Sequence, residues 1–411
     1  MFRGLGGIVC SGLVLLVLAG CASAAPDPPQ AQTPKAKQNG NNTTVAYIYV
    51  ANTPTPSQTG PNVNQITAYA ADSNGKLTPV PGSPFNENVG YMVVNGLYLM
   101  AAANTQTTIN AYNIHSNGSL TFANQTNYAQ DNYNNCGGAG SLFFDHSGQS
   151  LYVQEYDIDC SNSGTASYSV DKATGLLKYV GNTITGSEYD NLNSAYFLGN
   201  NTYAYAAGPS GCYIYSVDGF QRDNNGLLSS FDDGAPNYLP GPPGGFRVFT
   251  PFLTAADTTN HVAVTEVPAN PPGCMGLPVR LATYTADATG KLTTTSTYAN
   301  MPTTAIVSPY DLKMAPSGQL VAIAGQEGLQ VFRMNGAGPI TTFTPLLTAD
   351  PINMMFWDNN NHLYAISQKT NKLHVFTITN SAYHEAPGSP YTITSPNDII
   401  VQPWPLPWAN Q

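Results

Sequence analysis

Charged residues are scarce in this sequence of 411 residues: it has 14 Lys and Arg and 24 Asp and Glu, or 9% of the chain. Coiled coils and charge-driven disordered chains need many more of them. The net charge of −10 leaves no basic stripe that could neutralise phosphates, which argues against nucleic acid as a partner. What remains is a globular chain, long enough for one large core or for two to three ordinary domains.

The familiar catalytic motifs are missing as well. The sequence has no Ser-His-Asp order, no Gly-x-Ser-x-Gly elbow, no His-x-x-x-His pair and no phosphate-binding loop. No Cys-x-x-Cys spacing supports zinc, and no pattern predicts another metal or a cofactor. Hydrolytic chemistry would therefore need Asp or Glu as its base.

Strand-forming and turn-forming residues are abundant instead. The chain has 25 Tyr, 38 Gly and 32 Pro. Tyr, Thr, Val and Ile favour strands, whereas Gly, Pro and Asn favour turns. This mixture predicts an all-β structure.

The N-terminal stretch MFRGLGGIVCSGLVLLVLAGC has the form of an export signal. Arg3 begins a short positive region, and the apolar run that follows it is shorter than a typical transmembrane helix. Leu-Ala-Gly-Cys at 18–21 resembles a bacterial lipobox, which predicts lipidation of Cys21. Cleavage of an ordinary signal peptide near ASAAP is the alternative. We expect a signal peptide at 1–20 and a disordered tether at 21–43. The protein would then lie in the cell envelope, at the outer membrane if the cell has two.

A turn glycine followed by a short strand recurs six times, with an average step of about 53 residues, which is typical of propeller blades of four strands. A degenerate seventh copy lies at 379–387, and two further strand patterns occur seven times each. A fourth pattern, such as GSLFFDHSGQ at 140–149, precedes them. We name the strand with this fourth pattern A. The two strands that follow it are B and C, and the short strand after the turn glycine is D, so that A to D run outward from the axis. The recurring glycines are Gly75, Gly118, Gly175, Gly226, Gly290 and Gly338.

The chain begins at a B strand and ends with SPNDIIVQP at 395–403, which has the pattern of an A strand. The prediction is a seven-bladed β-propeller at 44–405, closed by pairing of 395–403 with the N-terminal strands, with a tail at 406–411. Six or eight blades and two β-sandwiches are the alternatives. Pro-Gly-Ser-Pro-aromatic occurs at 81–85 and again at 387–391. Ring closure predicts that these two copies lie on adjacent blades.

Three stretches resemble the lactonase-family propellers related to 6-phosphogluconolactonase and carboxymuconate-lactonising enzymes: YIYVANT (47–53), ITAYAADSNGKLTPVPGSPF (66–85) and SPYDLKMAPSGQLVAIAG (308–325). The resemblance implies a seven-bladed fold and lactone hydrolysis. It also implies Pro-Arg-His at the start of an A strand and a Glu after a following B strand. This chain has Tyr310 and Asp311 in place of the Arg and His, whereas Glu266 matches the Glu. Arg247 is a candidate for the missing Arg.

The long loops join D to A strands and B to C strands, and they are predicted to share one face of the ring. Binding usually uses such loops on a rigid scaffold. The A strands begin around the channel mouth on that face, which favours a ligand site there. A water-filled funnel whose polar groups satisfy exposed backbone is the alternative. The candidate ligand-binding residues are Tyr91, Ser141, Asn193, Tyr310, Asp311, Asn353 and Asp398.

Four cysteines remain once the signal peptide is removed and Cys21 is lipidated. An even number in an exported chain suggests disulfides. All four lie in loops of the same predicted face. We expect the pairs Cys136–Cys160 and Cys212–Cys274.

Two functions from different classes stay open. The first is a lipid-anchored, non-catalytic propeller, expected as a monomer, that binds a glycan, peptide or protein partner at its long-loop face. The second is a lactone hydrolase with an acidic site rebuilt around Glu266, Asp311 and Arg247. The lipobox and the missing His favour the first, whereas the resemblance and the retained Glu favour the second.

Overall fold

The computed structural model describes residues 43–52, 64–87, 89–102, 108–127, 138–156, 164–184, 195–207, 217–244, 247–270, 273–274 and 276–403. This part of the chain forms 32 strands in seven antiparallel sheets. Its regular structure is all β, and it has no helix that could cross a membrane. The predicted signal peptide, Cys21 and nearly all of the predicted tether lie outside the described residues.

Each sheet is one blade of a seven-bladed propeller, as predicted, and most consecutive strands within a blade are neighbours. Blade 1 contains β1 (Thr44–Asn52), β2 (Gln65–Asp72), β3 (Leu77–Pro79) and β4 (Phe85–Asn86). Blade 2 contains β5 (Tyr91–Val94), β6 (Tyr98–Ala102), β7 (Thr108–Ile114) and β8 (Leu120–Asn127). Blade 3 contains β9 (Gly138–Phe144), β10 (Ser150–Tyr156), β11 (Gly164–Val170) and β12 (Leu177–Ile184). Blade 4 contains β13 (Tyr196–Phe197), β14 (Tyr203–Ala207), β15 (Val217–Arg222) and β16 (Leu228–Phe231).

The remaining strands form three more blades and complete the first. Blade 5 contains β17 (Leu239–Pro240), β18 (Val248–Ala256), β19 (His261–Asn270), β20 (Gly273–Cys274), β21 (Arg280–Ala286) and β22 (Leu292–Thr294). Blade 6 contains β23 (Pro309–Met314), β24 (Leu320–Gly325), β25 (Gly328–Asn335) and β26 (Gly338–Thr342). Blade 7 contains β27 (Met354–Trp357), β28 (His362–Ser367), β29 (Lys372–Ile378), β30 (Tyr383–Glu385) and β31 (Tyr391–Thr392). The last strand is β32 (Pro396–Pro403).

The strand β32 pairs antiparallel with β1, so the two ends of the described chain share blade 1. Tyr49 lies opposite Ile400 in this pairing. The two Pro-Gly-Ser-Pro copies are therefore on neighbouring blades, as predicted. Tyr391 beside the second copy accepts a hydrogen bond at its hydroxyl from the Leu77 N–H of blade 1, at 2.9 Å. In each copy the serine hydroxyl accepts a C-strand N–H, Ala68 to Ser83 and Val375 to Ser389, both at 2.8 Å.

The recurring glycine of the C–D turn has no side chain, so an aromatic ring from the preceding blade can pack directly against it. Gly118 has φ +80°, and a Cβ atom there would lie 2.3 Å from the Tyr47 ring. The Tyr49 hydroxyl donates to the Gly118 carbonyl at 2.9 Å. Tyr98 packs on Gly175 and Tyr203 on Gly290 in the same way. In the C–D turn of blade 6 the glycine with positive φ is Gly336 rather than the predicted Gly338, because the turn there comes earlier.

The described part of the C strand of blade 4 is β15, which begins at Val217, the last residue of the predicted strand CYIYSV (212–217). Residues 212–216 of that pattern lie outside the described residues. Gly219, which does not favour a strand, pairs with Phe231, and a Cβ atom on it would lie 2.9 Å from the Phe231 ring. The glycine is thus used for close packing. The described part of the long insertion before blade 5 contains β17 alone, which pairs with β18, and it forms no eighth blade.

Candidate functional site

A cavity of about 100 Å³ lies on the propeller axis, and all seven A strands or the turns that follow them contribute to its wall. This volume has room for about seven to ten water molecules, or for one small organic group. The cavity extends from residues near the A-strand starts, such as Ser141 and Asp398, to residues near the A–B turns, such as Pro316. It is therefore an axial site shared by every blade.

Aromatic side chains dominate the wall of the axial cavity. Tyr91, Phe143, Tyr196, Phe356 and Trp357 all line it. Among the described lining residues, only Lys313 and Asp398 carry formally charged side chains at neutral pH. A largely apolar wall with a few polar groups is typical of ligand sites.

Lys313 on β23 of blade 6 contacts blade 4 at the wall of the cavity. Its Nζ donates to the Tyr196 hydroxyl at 2.6 Å and lies 3.8 Å from an oxygen of Asp311. Burial lowers the pKa of Lys313, but the charge of Asp311 and the contact with Tyr196 raise it by more, so the net shift is upward. Lys313 is therefore a permanent ammonium ion inside the ring.

Asp311 and Asp398 hold equivalent places in blades 6 and 1, and each joins its A strand to the next blade. Asp311 accepts the N–H of Leu312 at 2.9 Å and of Met355 in blade 7 at 3.0 Å. Asp398 accepts the N–H of Ile399 at 2.8 Å and of Met92 in blade 2 at 2.6 Å. Both carboxylates therefore stabilise the ring as well as facing its axis.

The two carboxyl groups differ in their electrostatic surroundings. Burial raises the pKa of Asp311, while the nearby Lys313 lowers it. Burial raises the pKa of Asp398 from 3.8 to about 7. Backbone hydrogen bonds and Lys313 oppose that shift, whereas the charge of Asp311 adds to it. Asp398 consequently exchanges its proton near neutral pH.

The structure brings only part of the predicted ligand-binding set together. Tyr91, Ser141 and Asp398 line the axial cavity, and Asp311 contacts it through Lys313. Tyr310 is instead 43% exposed and donates to Gln326.

Asn353 is also not among the described residues of the cavity wall. The side-chain amide oxygen of Asn353 accepts the Gln368 N–H at 2.9 Å, which holds this side chain at the strand end of blade 7. Asn193 lies outside the described residues. The site that the described residues define is therefore narrower than the predicted ring of seven.

The predicted catalytic pair, Glu266 and Arg247, does not line the axial cavity. Glu266 on β19 is fully buried, and one carboxyl oxygen accepts the Tyr284 hydroxyl at 3.0 Å. The other oxygen has no partner in the described part of the chain. Burial raises the pKa of Glu266 well above 4.5. Arg247 precedes β18, and its carbonyl accepts the Gly241 N–H at 3.0 Å.

The predicted cysteine pairs cannot be read from the described residues. Cys136, Cys160 and Cys212 lie outside them, and only the backbone of Cys274 is described, in β20. Within the described ranges, no group of three or more His, Cys, Asp or Glu residues could hold a metal ion. The disulfides stay a prediction.

Lys313 and Tyr196 are the site residues that the sequence patterns miss. Successive side chains of a strand point to opposite faces, so Lys313 points the same way as Asp311. That alternation within PYDLKM could have marked Lys313 as axial. Tyr196 carries no such signal, because its contact with Lys313 spans 117 residues of sequence.

No protein-family model matches the sequence, and no curated protein matches it either. A candidate 6-phosphogluconolactonase from Bacteroides fragilis is similar in structure, with a TM-score of 0.62 at 13% identity, over 87% of this chain and 98% of that chain. The fold is 6-phosphogluconolactonase-like. A second candidate 6-phosphogluconolactonase, from Bacteroides uniformis, has a TM-score of 0.52 at 12% identity, over 87% of this chain and 100% of that chain. A hypothetical selenium-binding protein from Sulfolobus tokodaii shares this 6-phosphogluconolactonase-like fold at a TM-score of 0.54 and 7% identity, over 88% and 94% of the two chains.

Proposed function

We propose that the protein is an exported, lipid-anchored propeller that binds a glycan, peptide or protein partner and takes one group of it into the axial cavity. The observation that carries this proposal is the cavity wall, which all seven blades form and which places aromatic side chains around one Lys and one Asp. Such a wall is rigid because it is built on paired strands rather than on loops. Export is supported by the lipobox ending at Cys21, by the Pro-rich tether behind it and by the even number of remaining cysteines.

A binding screen tests the ligand part of this proposal. The full chain is titrated by calorimetry with glycan and peptide panels, beside Lys313→Met and, as a control, Lys372→Met on the rim of blade 7. We expect a ligand whose affinity falls at least tenfold with Lys313→Met and stays unchanged with Lys372→Met. Equal affinities for both variants would place binding elsewhere on the protein.

Membrane attachment is tested separately. Cells that express the chain are labelled with a clickable fatty acid and fractionated. We expect label in the membrane fraction for the wild type, and neither label nor membrane association for Cys21→Ser. Labelling that persists in Cys21→Ser would contradict the lipobox assignment.

Lactone hydrolysis is the second candidate, and a specific observation supports it. Asp398, with its pKa near 7, and the Lys313 ammonium line the same cavity. A base that titrates near the working pH and a cation for the developing oxyanion are what lactone opening requires. Two of the similar structures are also described as candidate 6-phosphogluconolactonases.

A lactone panel separates this candidate from pure binding. Turnover that is lost in both Asp398→Asn and Lys313→Met, but kept in Glu266→Gln, would assign hydrolysis to the axial cavity. Turnover lost in Glu266→Gln alone would assign it to the residues predicted from the resemblance. Ligand binding without turnover of any lactone supports the binding function.

A further inference from the structure

The two charged side chains of the axial cavity, Lys313 and Asp398, differ in the partners that they have. Lys313 has two close partners, the Asp311 carboxylate at 3.8 Å and the Tyr196 hydroxyl at 2.6 Å. Asp398 is only 3% exposed, and its hydrogen bonds in the described structure come from two backbone N–H groups. Because Asp311 already neutralises Lys313, ionised Asp398 leaves one uncompensated negative charge in the cavity.

The aromatic wall is suited to a positive charge. The Lys313 ammonium already lies 5.0 Å from the Tyr196 ring centroid and 5.3 Å from that of Phe356. Ring faces attract cations at such distances, most strongly where water is excluded. The same apolar wall would accommodate the methylene stem of a second ammonium group.

We propose that the axial cavity takes a lysine side chain of a peptide ligand, with Asp398 as the counter-ion of its ammonium group. This inference rests on the proposed binding function and names the group that enters the cavity. A buried charge is favourable only when it is paired, and the incoming ammonium would pair the carboxylate of the cavity wall that has no cationic partner of its own. A straight methylene stem fits a cavity of about 100 Å³ with largely apolar walls, whereas the several hydroxyls of an amino sugar would need more polar partners than this wall offers.

Binding of a lysine ammonium would be coupled to the loss of a proton. The titratable side chains around Asp398 are Asp311 and Lys313 on β23, Tyr196 on β13 and Tyr91 on β5. In the free protein Asp398 carries a proton below a pKa of about 7. The ligand needs the ionised form, while its own ammonium stays charged up to about pH 10. Affinity should therefore fall by about 90-fold between pH 8 and pH 5, provided that the bound carboxyl stays ionised throughout.

Calorimetry with Nα-acetyl-lysine amide tests the inference on the full chain. We expect binding at pH 8, a loss of about 90-fold at pH 5, and release of about half a proton per ligand at pH 7 in paired buffers of different ionisation enthalpy. The Nε-acetylated ligand, which keeps the stem and removes the charge, should bind far more weakly. Asp398→Asn should abolish the pH dependence. Asp287→Asn, which removes an exposed carboxylate from a turn of blade 5, should leave it unchanged. The proton release is measured on the wild type, so the test stands if Asp398→Asn does not fold.

The alternative outcomes are distinct. Equal binding of the acetylated and free ligands, or affinity that rises at acidic pH, would overturn the ammonium assignment and leave the binding function standing. Tighter binding of glucosamine than of the lysine ligand would overturn the assignment to a peptide. Failure of every glycan and peptide in the panels to bind would overturn the binding function together with this inference.

Discussion

Replacement of Asp398 by Asn should remove a defined part of the pH dependence of the propeller's stability. Burial raises the pKa of Asp398 from 3.8 to about 7 in the folded protein. Between those two pH values the folded chain holds a proton that the unfolded chain has released. Stability therefore falls as pH rises through this window, which is the reverse of the usual behaviour of a carboxylate in an ion pair.

The size of this effect follows from the shift. Each pKa unit corresponds to about 1.4 kcal/mol, so ionised Asp398 costs the wild type about 4 kcal/mol at pH 8 relative to pH 4. Asn does not ionise, but its NH₂ group must face one of the two N–H groups that Asp398 accepts. That mismatch costs about 1–3 kcal/mol at every pH. We expect Asp398→Asn to be less stable than the wild type at pH 4 and more stable at pH 8.

Urea unfolding of both proteins at intervals from pH 4 to pH 8 measures this difference. The difference in free energy of unfolding should change by about 4 kcal/mol across the series, mostly between pH 4 and pH 7. The control is Asp287→Asn, because Asp287 is exposed and hydrogen bonds to Thr289 lower its pKa. A difference for Asp398→Asn that stays constant from pH 4 to pH 8 would refute the argument.

Three further predictions concern the core and the loops. Glu266→Gln should raise the melting temperature more at pH 9 than at pH 5, because burial raises the pKa of Glu266 and its ionisation opposes folding above pH 4.5; an equal change at both pH values would contradict this. Gly118→Ala should cost about 2–4 kcal/mol of unfolding free energy, because its Cβ would clash with the Tyr47 ring. Gly276→Ala, where φ is +56° and no atom lies within 4 Å, should cost only about 1 kcal/mol, and equal losses at both sites would remove the packing argument. Mass spectrometry of an unreduced digest should show Cys136–Cys160 and Cys212–Cys274, and four free thiols would contradict both pairs.

The blade count could be predicted because each repeat carries its own local signals. A glycine with positive φ, as at Gly118 and Gly290, is required wherever a ring of the preceding blade lies on the C–D turn. Because this requirement recurs from blade to blade, the spacing of these glycines in the sequence shows the length of the blade repeat directly. The duplicated Pro-Gly-Ser-Pro was informative for the same reason, since each serine hydroxyl caps a C-strand N–H.

The site was harder to predict because it forms between blades that are distant in sequence. The contact of Lys313 with Tyr196 crosses the axis from blade 6 to blade 4, and no local pattern records it. Glu266 matched a family position, but whether a B-strand side chain faces the axis or the core between blades depends on packing against neighbours such as Tyr284. The alternation of side chains assigns each residue to one of two faces of a strand, but it does not show which face lines the cavity.

Asp311 and Asp398 hold equivalent structural places but differ in their electrostatic surroundings. Both carboxylates bind the backbone of the next blade, so the ring needs an acceptor at each place. Two residues further along each strand, on the same face, blade 6 has Lys313 and blade 1 has Ile400. The Lys neutralises Asp311, whereas no side chain of β32 does so for Asp398, whose pKa rises to about 7. The side chain two positions away therefore gives these two structurally equivalent acids different electrostatic surroundings.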